Sequence, residues 1–276
     1  MGTLDWFFPL VALLFGLLFG SFGNVVIWRY PRGESLSVPA SHCPRCEHPV
    51  RWYDNVPVIS WLVLRGRCRD CNEPISARYP SVELLSGLLW LGSVLVFGPS
   101  LRALASVFMC YVLLLLGFID LDTRRLPNSL VALLGGVGAL LCVVSQFTSF
   151  QFAPLTPVVG WAAPPLLAGL IGTLSAGGVS LAISSIYGGV RGRAGLGMGD
   201  VKLLAALGPF LGVFTLGVFV VGSFFGVGWG VVAARRSGQG AATKFAFGPC
   251  LAAAAVVMGF WGPTIWNVYA SAVGIG

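Results

Sequence analysis

Residues 101–120 read LRALASVFMCYVLLLLGFID, and no side chain between Arg102 and Asp120 is charged. A run of that length and apolarity suits a helix crossing the roughly 30 Å hydrocarbon core of a bilayer. Comparable runs flank it near 6–27, 82–98, 126–146, 165–187, 202–217, 218–234 and 246–264. The expectation is an all-α polytopic membrane protein with about eight transmembrane helices. Composition agrees: 56% of the chain is apolar, 10% is charged and the mean hydropathy is +0.86. A soluble domain carries roughly 25% charged residues.

Two segments need individual treatment. Met1–Ile27 lacks a basic start, carries Asp5 and offers no small-x-small cleavage site before Trp28 and Arg29. It therefore reads as a retained span and not as a signal peptide. The stretch 202–234 is short for two crossings. A hairpin is nonetheless expected, because Gly222 to Gly230 could host a tight turn or kink and Arg235 and Arg236 call for a return to the basic side.

Charge sets the orientation. Arg29, Arg32, Arg45, Arg51, Arg65, Arg67, Arg69 and Arg78 all follow the first span, and Arg124 and Arg125 follow the third. Arg191, Arg193 and Lys202 form another cluster, then Arg235, Arg236 and Lys244. Basic residues accumulate on the cytoplasmic side, which places the N-terminus outside and these clusters inside. The net charge of +7 thus reflects topology and attraction to anionic membrane lipid, and nucleic acid is not an expected partner. Small residues such as Gly135-Gly136 and Ala252–Ala255 read as close helix packing. No internal repeat is evident.

The polar segment 29–80 contains Cys43-Pro-Arg-Cys46 and Cys68-Arg-Asp-Cys71, two CxxC pairs 21 residues apart. Each pair can offer two thiolates to one tetrahedral ion, and the spacing closely approaches that of a structural Zn²⁺ site. So short a polar segment buries little core, so metal binding would supply its folding energy. Disulfides and redox dithiols are the competing readings, and a reducing cytoplasm argues against the first. Cys110, Cys142 and Cys250 lie in apolar runs and read as packing residues. His42 and His48 are the only histidines and flank the first pair, where four cysteines already complete a ligand set. Their confinement there leaves the spans without a base for a Ser-His or Cys-His hydrolase.

Beyond Glu83 the acidic residues are Asp120, Asp122 and Asp200. An ionisable group within a membrane segment is by default a functional candidate. Asp120 ends the third span, and Asp200 follows Gly195-Leu-Gly197-Met-Gly199. The arginine topology brings both to the same edge. Two carboxylates sharing a site resist joint ionisation, so one stays protonated while the other acts as a base. That pair can activate water against a peptide carbonyl. Gly197 and Gly199 would let an extended substrate approach the backbone. The plainer alternatives are a salt bridge to Arg124 and Arg125 for Asp120 and Asp122, and helix capping for Asp200. Asp122 is expected to face water or the arginines, and Lys202 to snorkel.

These residues resemble the type IV prepilin peptidase family. The likeness includes Gly20-Ser-Phe, Asn24-Val-Val-Ile, Pro31-Arg-Gly-Glu-Ser and Arg51-Trp-Tyr-Asp-Asn. It continues through Ser60-Trp-Leu, Arg65-Gly-Arg-Cys, Arg78-Tyr-Pro, Ile119-Asp120, Leu126-Pro-Asn, Gly197-Met-Gly-Asp200-Val-Lys-Leu-Leu and Phe247-Gly-Pro. Gly23 departs from the bulky apolar residue usual there, and the stretch between the aspartates is longer than in many members. The resemblance implies a bacterial inner-membrane enzyme that cleaves prepilins or pseudopilins after a glycine. Asp120 and Asp200 would be its catalytic pair. It further implies N-methylation of the new terminus from S-adenosylmethionine, with the cysteine loop associated with that step. No Gly-rich nucleotide loop marks a methyl-donor pocket. The implied division is a first helix at 1–28, a four-cysteine module at 29–80 and a peptidase domain at 81–276. Glu34, Glu47, Asp54, Asp70 and Glu73 are available to attract a basic leader, although most read as surface charges. A peptidase without methyltransferase activity, an ion-coupled transporter using Asp120 and Asp200, and a noncatalytic scaffold docking a partner through the cysteine loop are the other readings.

Overall fold

The computed structural model describes residues 6–147, 164–192, 196–237 and 245–274. Asp5, Arg193, Gly195 and Lys244 lie outside the described residues. Nine helices are described: α1 Phe7–Arg29, α2 Ile59–Val63, α3 Arg78–Phe97, α4 Leu101–Thr123, α5 Asn128–Phe147, α6 Pro165–Arg191, α7 Met198–Leu211, α8 Phe214–Ser237 and α9 Gly248–Val273. Among the described residues seven of them, all but α2 and α7, are long and apolar enough to cross a membrane.

The stretch 202–234 does form two helices, but not as expected. The break falls at Gly212, whose φ of 54° and ψ of −136° suit glycine, and its N–H closes α7 on the Gly208 carbonyl. Gly222, Gly226 and Gly230 lie instead inside the continuous helix α8. A side chain at these positions would meet Leu251, Phe247 and Phe245 respectively. Spaced four apart, they form one bare face that admits the approach to α9.

The chain divides into two compact units, Met1–Leu115 and Leu116–Gly276. In the first, α1 packs against α3. Its buried positions include Ala12, Gly16, Gly20 and Gly23, while Leu10, Leu14, Phe15 and Leu18 are exposed. That inversion belongs to lipid, where large apolar side chains gain nothing by hiding and small ones allow backbones to approach. The approach is close. A Cβ on Gly16 would sit 2.8 Å from the Gly87 Cα, and one on Gly20 would sit 2.6 Å from the Glu83 Cα.

In the second unit, α7 is the core. It packs against α5, α6, α8 and α9. Val201, Leu203, Leu204 and Leu207 through Leu211 are all buried.

Gly20→Val is expected to cost about 2 kcal/mol, the usual scale of overpacking against an unyielding neighbour. Gly136, whose Cβ would meet nothing within 4 Å, supplies the control: Gly136→Ala should not lower stability. Thermal unfolding in detergent checks both.

Candidate active site

Asp120 sits in the last turn of α4 and is 6% exposed. The helix ends just beyond it, where Arg124 takes a φ of 53° and returns its N–H to the Asp120 carbonyl at 2.8 Å. That is the left-handed geometry that stops helices. The Asp120 carboxylate accepts the Gly248 N–H at 2.9 Å, across 128 residues of sequence. Gly248 is the first residue of α9, so the carboxylate lies at a helix N-terminus, where unpaired N–H groups and the helix dipole favour negative charge. Glycine is required there for space: a Cβ would stand 2.7 Å from Asp120 Oδ2.

Asp200 is the third residue of α7, after Gly197 at the N-cap. Its carboxylate reaches back to the Gly197 backbone N–H, as an acid at this position does in a capping box. The helix-capping alternative for Asp200 therefore describes a real contact. It coexists with a second feature, because Asp120 lies within electrostatic reach of Asp200. Each carboxylate thus lies at the start of a helix, within electrostatic reach of the other. Asp122 is exposed.

The flanking motif residues hold this corner. A side chain on Gly199 would press on Leu126 at 3.3 Å, and one on Gly197 would press on Asp200 Oδ2 at 3.0 Å. Both glycines thus have packing reasons besides any contact with substrate. Lys202 is exposed, as a snorkelling cation would be, yet its Nζ donates to Asn128 Oδ1 at 2.9 Å. That bond ties α7 to the start of α5. Sequence reasoning missed the roles of Gly248 and Asn128. Their only signal is membership of the strings Phe247-Gly-Pro and Leu126-Pro-Asn.

In the first unit, the sulfurs of Cys43, Cys46, Cys68 and Cys71 lie within 4.8 Å of one another, Cys43 and Cys71 at 3.8 Å. A tetrahedral ion with metal–sulfur bonds of about 2.3 Å needs sulfur–sulfur edges of about 3.8 Å. The backbone N–H groups of Cys46 and Arg45 lower the Cys43 thiol to about 7. Against the Glu73 N–H, burial and the other three sulfurs push Cys71 up to about 12. Four such sulfurs are jointly ionised only around a cation, and the donor set fits a metal.

The module also contains a repeat that is invisible in the sequence. Cys43 N–H donates to the His48 carbonyl, and Cys68 N–H to that of Glu73. Val50 bonds Ser41, and Ile75 bonds Gly66. Glu47 and Asn72, each directly after a second cysteine, take φ values of 59° and 57°. His42 pairs with Pro49, and Arg67 with Pro74. Two equivalent knuckles, offset by 25 positions, present two thiols apiece. Two of the loop acids are already engaged: Arg69 grips Asp54 at 2.6 and 2.8 Å, and Arg51 meets Asp70 at 3.1 Å. Those Arg69 bonds hold the Asp54 carboxyl below its ordinary range.

Residues 14–97 match the model of the bacterial peptidase A24 N-terminal domain, and residues 107–231 match the type IV leader peptidase family. The chain belongs to the type IV leader peptidase family. It is 35% identical to the prepilin leader peptidase/N-methyltransferase of Aeromonas hydrophila, over 96% of this chain and 95% of the relative. The enzyme of the same name from Burkholderia pseudomallei is 36% identical, covering 91% of this chain and 84% of the relative. The type 4 prepilin-like proteins leader peptide-processing enzyme of Escherichia coli is 38% identical, covering 88% and 90%. No solved structure matches.

Gly248→Val should displace the Asp120 carboxylate without unfolding the chain. Leader-peptidase activity is expected to fall about 100-fold, the scale on which ångström misplacements act in active sites, with helicity by circular dichroism unchanged.

Proposed function

We propose that this chain removes the basic leader of prepilins or pseudopilins by attack of water between Asp120 and Asp200, and then methylates the new N-terminus from S-adenosylmethionine. One observation carries the peptidase half: two carboxylates distant in sequence lie within electrostatic reach of each other, one held at the start of α9 and one in the first turn of α7. One, ionised, takes a proton from water as the hydroxide adds to the scissile carbonyl carbon. The other, protonated, hydrogen-bonds the carbonyl oxygen. The tetrahedral intermediate then collapses, the C–N bond breaks, and a proton passes to the leaving amine. Two carboxylates that share one proton titrate as a pair, so acid and base belong to the pair and not to individual residues.

The arginine clusters support a cytoplasmic position for the cysteine loop and for the end of α4, with the N-terminus outside in a bacterial inner membrane. A precursor then keeps its apolar helix in the bilayer while its basic leader emerges beside the aspartates. Gly197 and Gly199 line the approach to Asp200 with little side chain. A transporter would more often hold its carboxylates midway along broken helices. Asp120 and Asp200 lie instead at helix ends.

Cys43, Cys46, Cys68 and Cys71 are the proposed ligands of a structural Zn²⁺. Four thiolates in closed tetrahedral geometry leave no open position, so the ion would fold the module and take no direct part in chemistry. The module, 29–80, follows a first helix at 1–28 and precedes the peptidase domain at 81–276. Methylation rests on the names of the relatives and on the module's likeness to the family's methyltransferase region.

Purified protein incubated with a prepilin and S-adenosylmethionine, with leader loss and methyl gain scored separately by mass spectrometry, tests both halves. Asp120→Asn and Asp200→Asn should each lower cleavage by about 10³-fold, the scale of acid–base catalysis, while folding is retained. Full cleavage by either variant would refute the dyad. Leader loss without methyl gain in the wild type would remove the methyltransferase half.

Elemental analysis of the wild type is expected to find one zinc per chain. Cys46→Ser should lose the metal and expose the loop to proteolysis, leaving the spans intact. A metal-free wild type with its four cysteines joined as disulfides would overturn both the site and its cytoplasmic placement.

A further inference from the structure

Glu83 is a buried carboxylate that the peptidase mechanism does not use. It lies early in α3, is 9% exposed, and faces α1 where Gly20 lets the two backbones touch. A carboxylate so placed is costly unless it is paired. Its Oε2 accepts the Val58 N–H at 2.7 Å, and Ser21 supplies a second hydrogen bond.

Val58 is held in an unusual state. Its φ of 62° and ψ of −49° belong to a γ-turn, closed by the Ile59 N–H on the Pro57 carbonyl at 2.6 Å. That conformation is rare and strained. For a β-branched residue it persists only where the surroundings impose it.

From Val58 the chain leads back to the cysteines. α2 begins at Ile59, and its Ser60 Oγ donates to the Tyr53 carbonyl at 3.1 Å. Tyr53 precedes Asp54, which Arg69 grips from between Cys68 and Asp70. Trp61 Nε1 donates to the Ile75 carbonyl at 3.0 Å, and Ile75 N–H closes the second knuckle on Gly66. Two separate ties therefore run from α2 to the Cys68–Cys71 knuckle. The Glu83 carboxylate fixes the start of α2 to a membrane helix.

We propose that Glu83 is a positioning residue for methyl transfer: by accepting the Val58 N–H it holds the cysteine module in register with the α1–α3 pair. The inference rests on the methyltransferase half of the proposed function. It requires acceptance of one N–H and no negative charge, so a glutamine, whose amide oxygen also accepts, should serve.

The test uses the full-length protein with a prepilin and S-adenosylmethionine, scoring leader loss and methyl gain separately, together with hydrogen exchange at the Val58 amide. Leaving the Val58 N–H without its acceptor predicts that Glu83→Ala lowers methyl gain about tenfold or more, with cleavage within about twofold of wild type. Zinc content should stay unchanged and the Val58 amide should lose protection. Glu83→Gln should restore both protection and methyl gain. Val58→Gly, which keeps the N–H and relieves the strain, should methylate as the wild type does. Wild-type methyl gain in Glu83→Ala would overturn the inference. So would a Glu83→Gln protein as defective as Glu83→Ala, or equal losses of cleavage and methylation. Should Glu83→Ala fail to fold, the glutamine and glycine variants decide: a methylation defect in either one with the Val58 amide still protected overturns it, and methylation by both with protection upholds it. A wild type that cleaves without methylating removes the methyltransferase reading and this inference together, leaving the peptidase reading standing.

Discussion

The hydrogen bond from Gly248 to Asp120 constrains much of the second unit. A carboxylate within a membrane helix needs a partner, and no lysine or arginine is bonded to this one among the described residues. The start of another helix answers the need without a cation, since its first N–H groups have no partner of their own. α9 must therefore begin at the level where α4 is ending. Residue 248 must lack a side chain, and proline at 249 costs nothing because a second helical position needs no internal donor. The segment leading into α9 then lies against α8, where Gly226 and Gly230 leave room for Phe247 and Phe245. The bare face of α8 answers, at some distance, to a charge on α4.

Hydropathy made most of the spans legible because a bilayer offers backbone polar groups no partner but the helix itself. The edges were less so. Asp120 stood at the end of its expected span, and the structure continues the helix to Thr123. Gly222 to Gly230, which could have hosted a tight turn or kink, stay helical for a definite reason. Glycine serves both to break helices and to admit a neighbour, and only the neighbour tells the two apart. Gly212 looks no different in sequence, yet it alone of these takes a positive φ.

The site was legible where residue types are scarce. Three acids in the long apolar remainder, and two CxxC pairs in one polar loop, single themselves out. The duplicated knuckle did not, because its repeat resides in main-chain bonds and in the φ of Glu47 and Asn72. Beyond the cysteines, the two copies share little except Pro49 with Pro74 and the β-branched Val50 with Ile75. Glu83 is inconspicuous for a related reason. Its partner is a backbone N–H 25 residues earlier, and no side-chain pattern announces that.

The length of α7 bears on how water reaches the aspartates. Its 14 residues span about 21 Å, whereas the hydrocarbon core is about 30 Å thick. α8, joined to it at Gly212, is long enough to cross. If the junction lies at one face, the other end of α7 stops about 9 Å short of the opposite face. The bilayer thins there, or the first turn of α7 remains submerged. Either arrangement would bring Asp200 below the usual headgroup level. An α7 of full length would instead carry that carboxylate to the headgroup level. On that placement the length of α7 would set the depth of Asp200, and the field at the helix start would offset the cost of a charge held there.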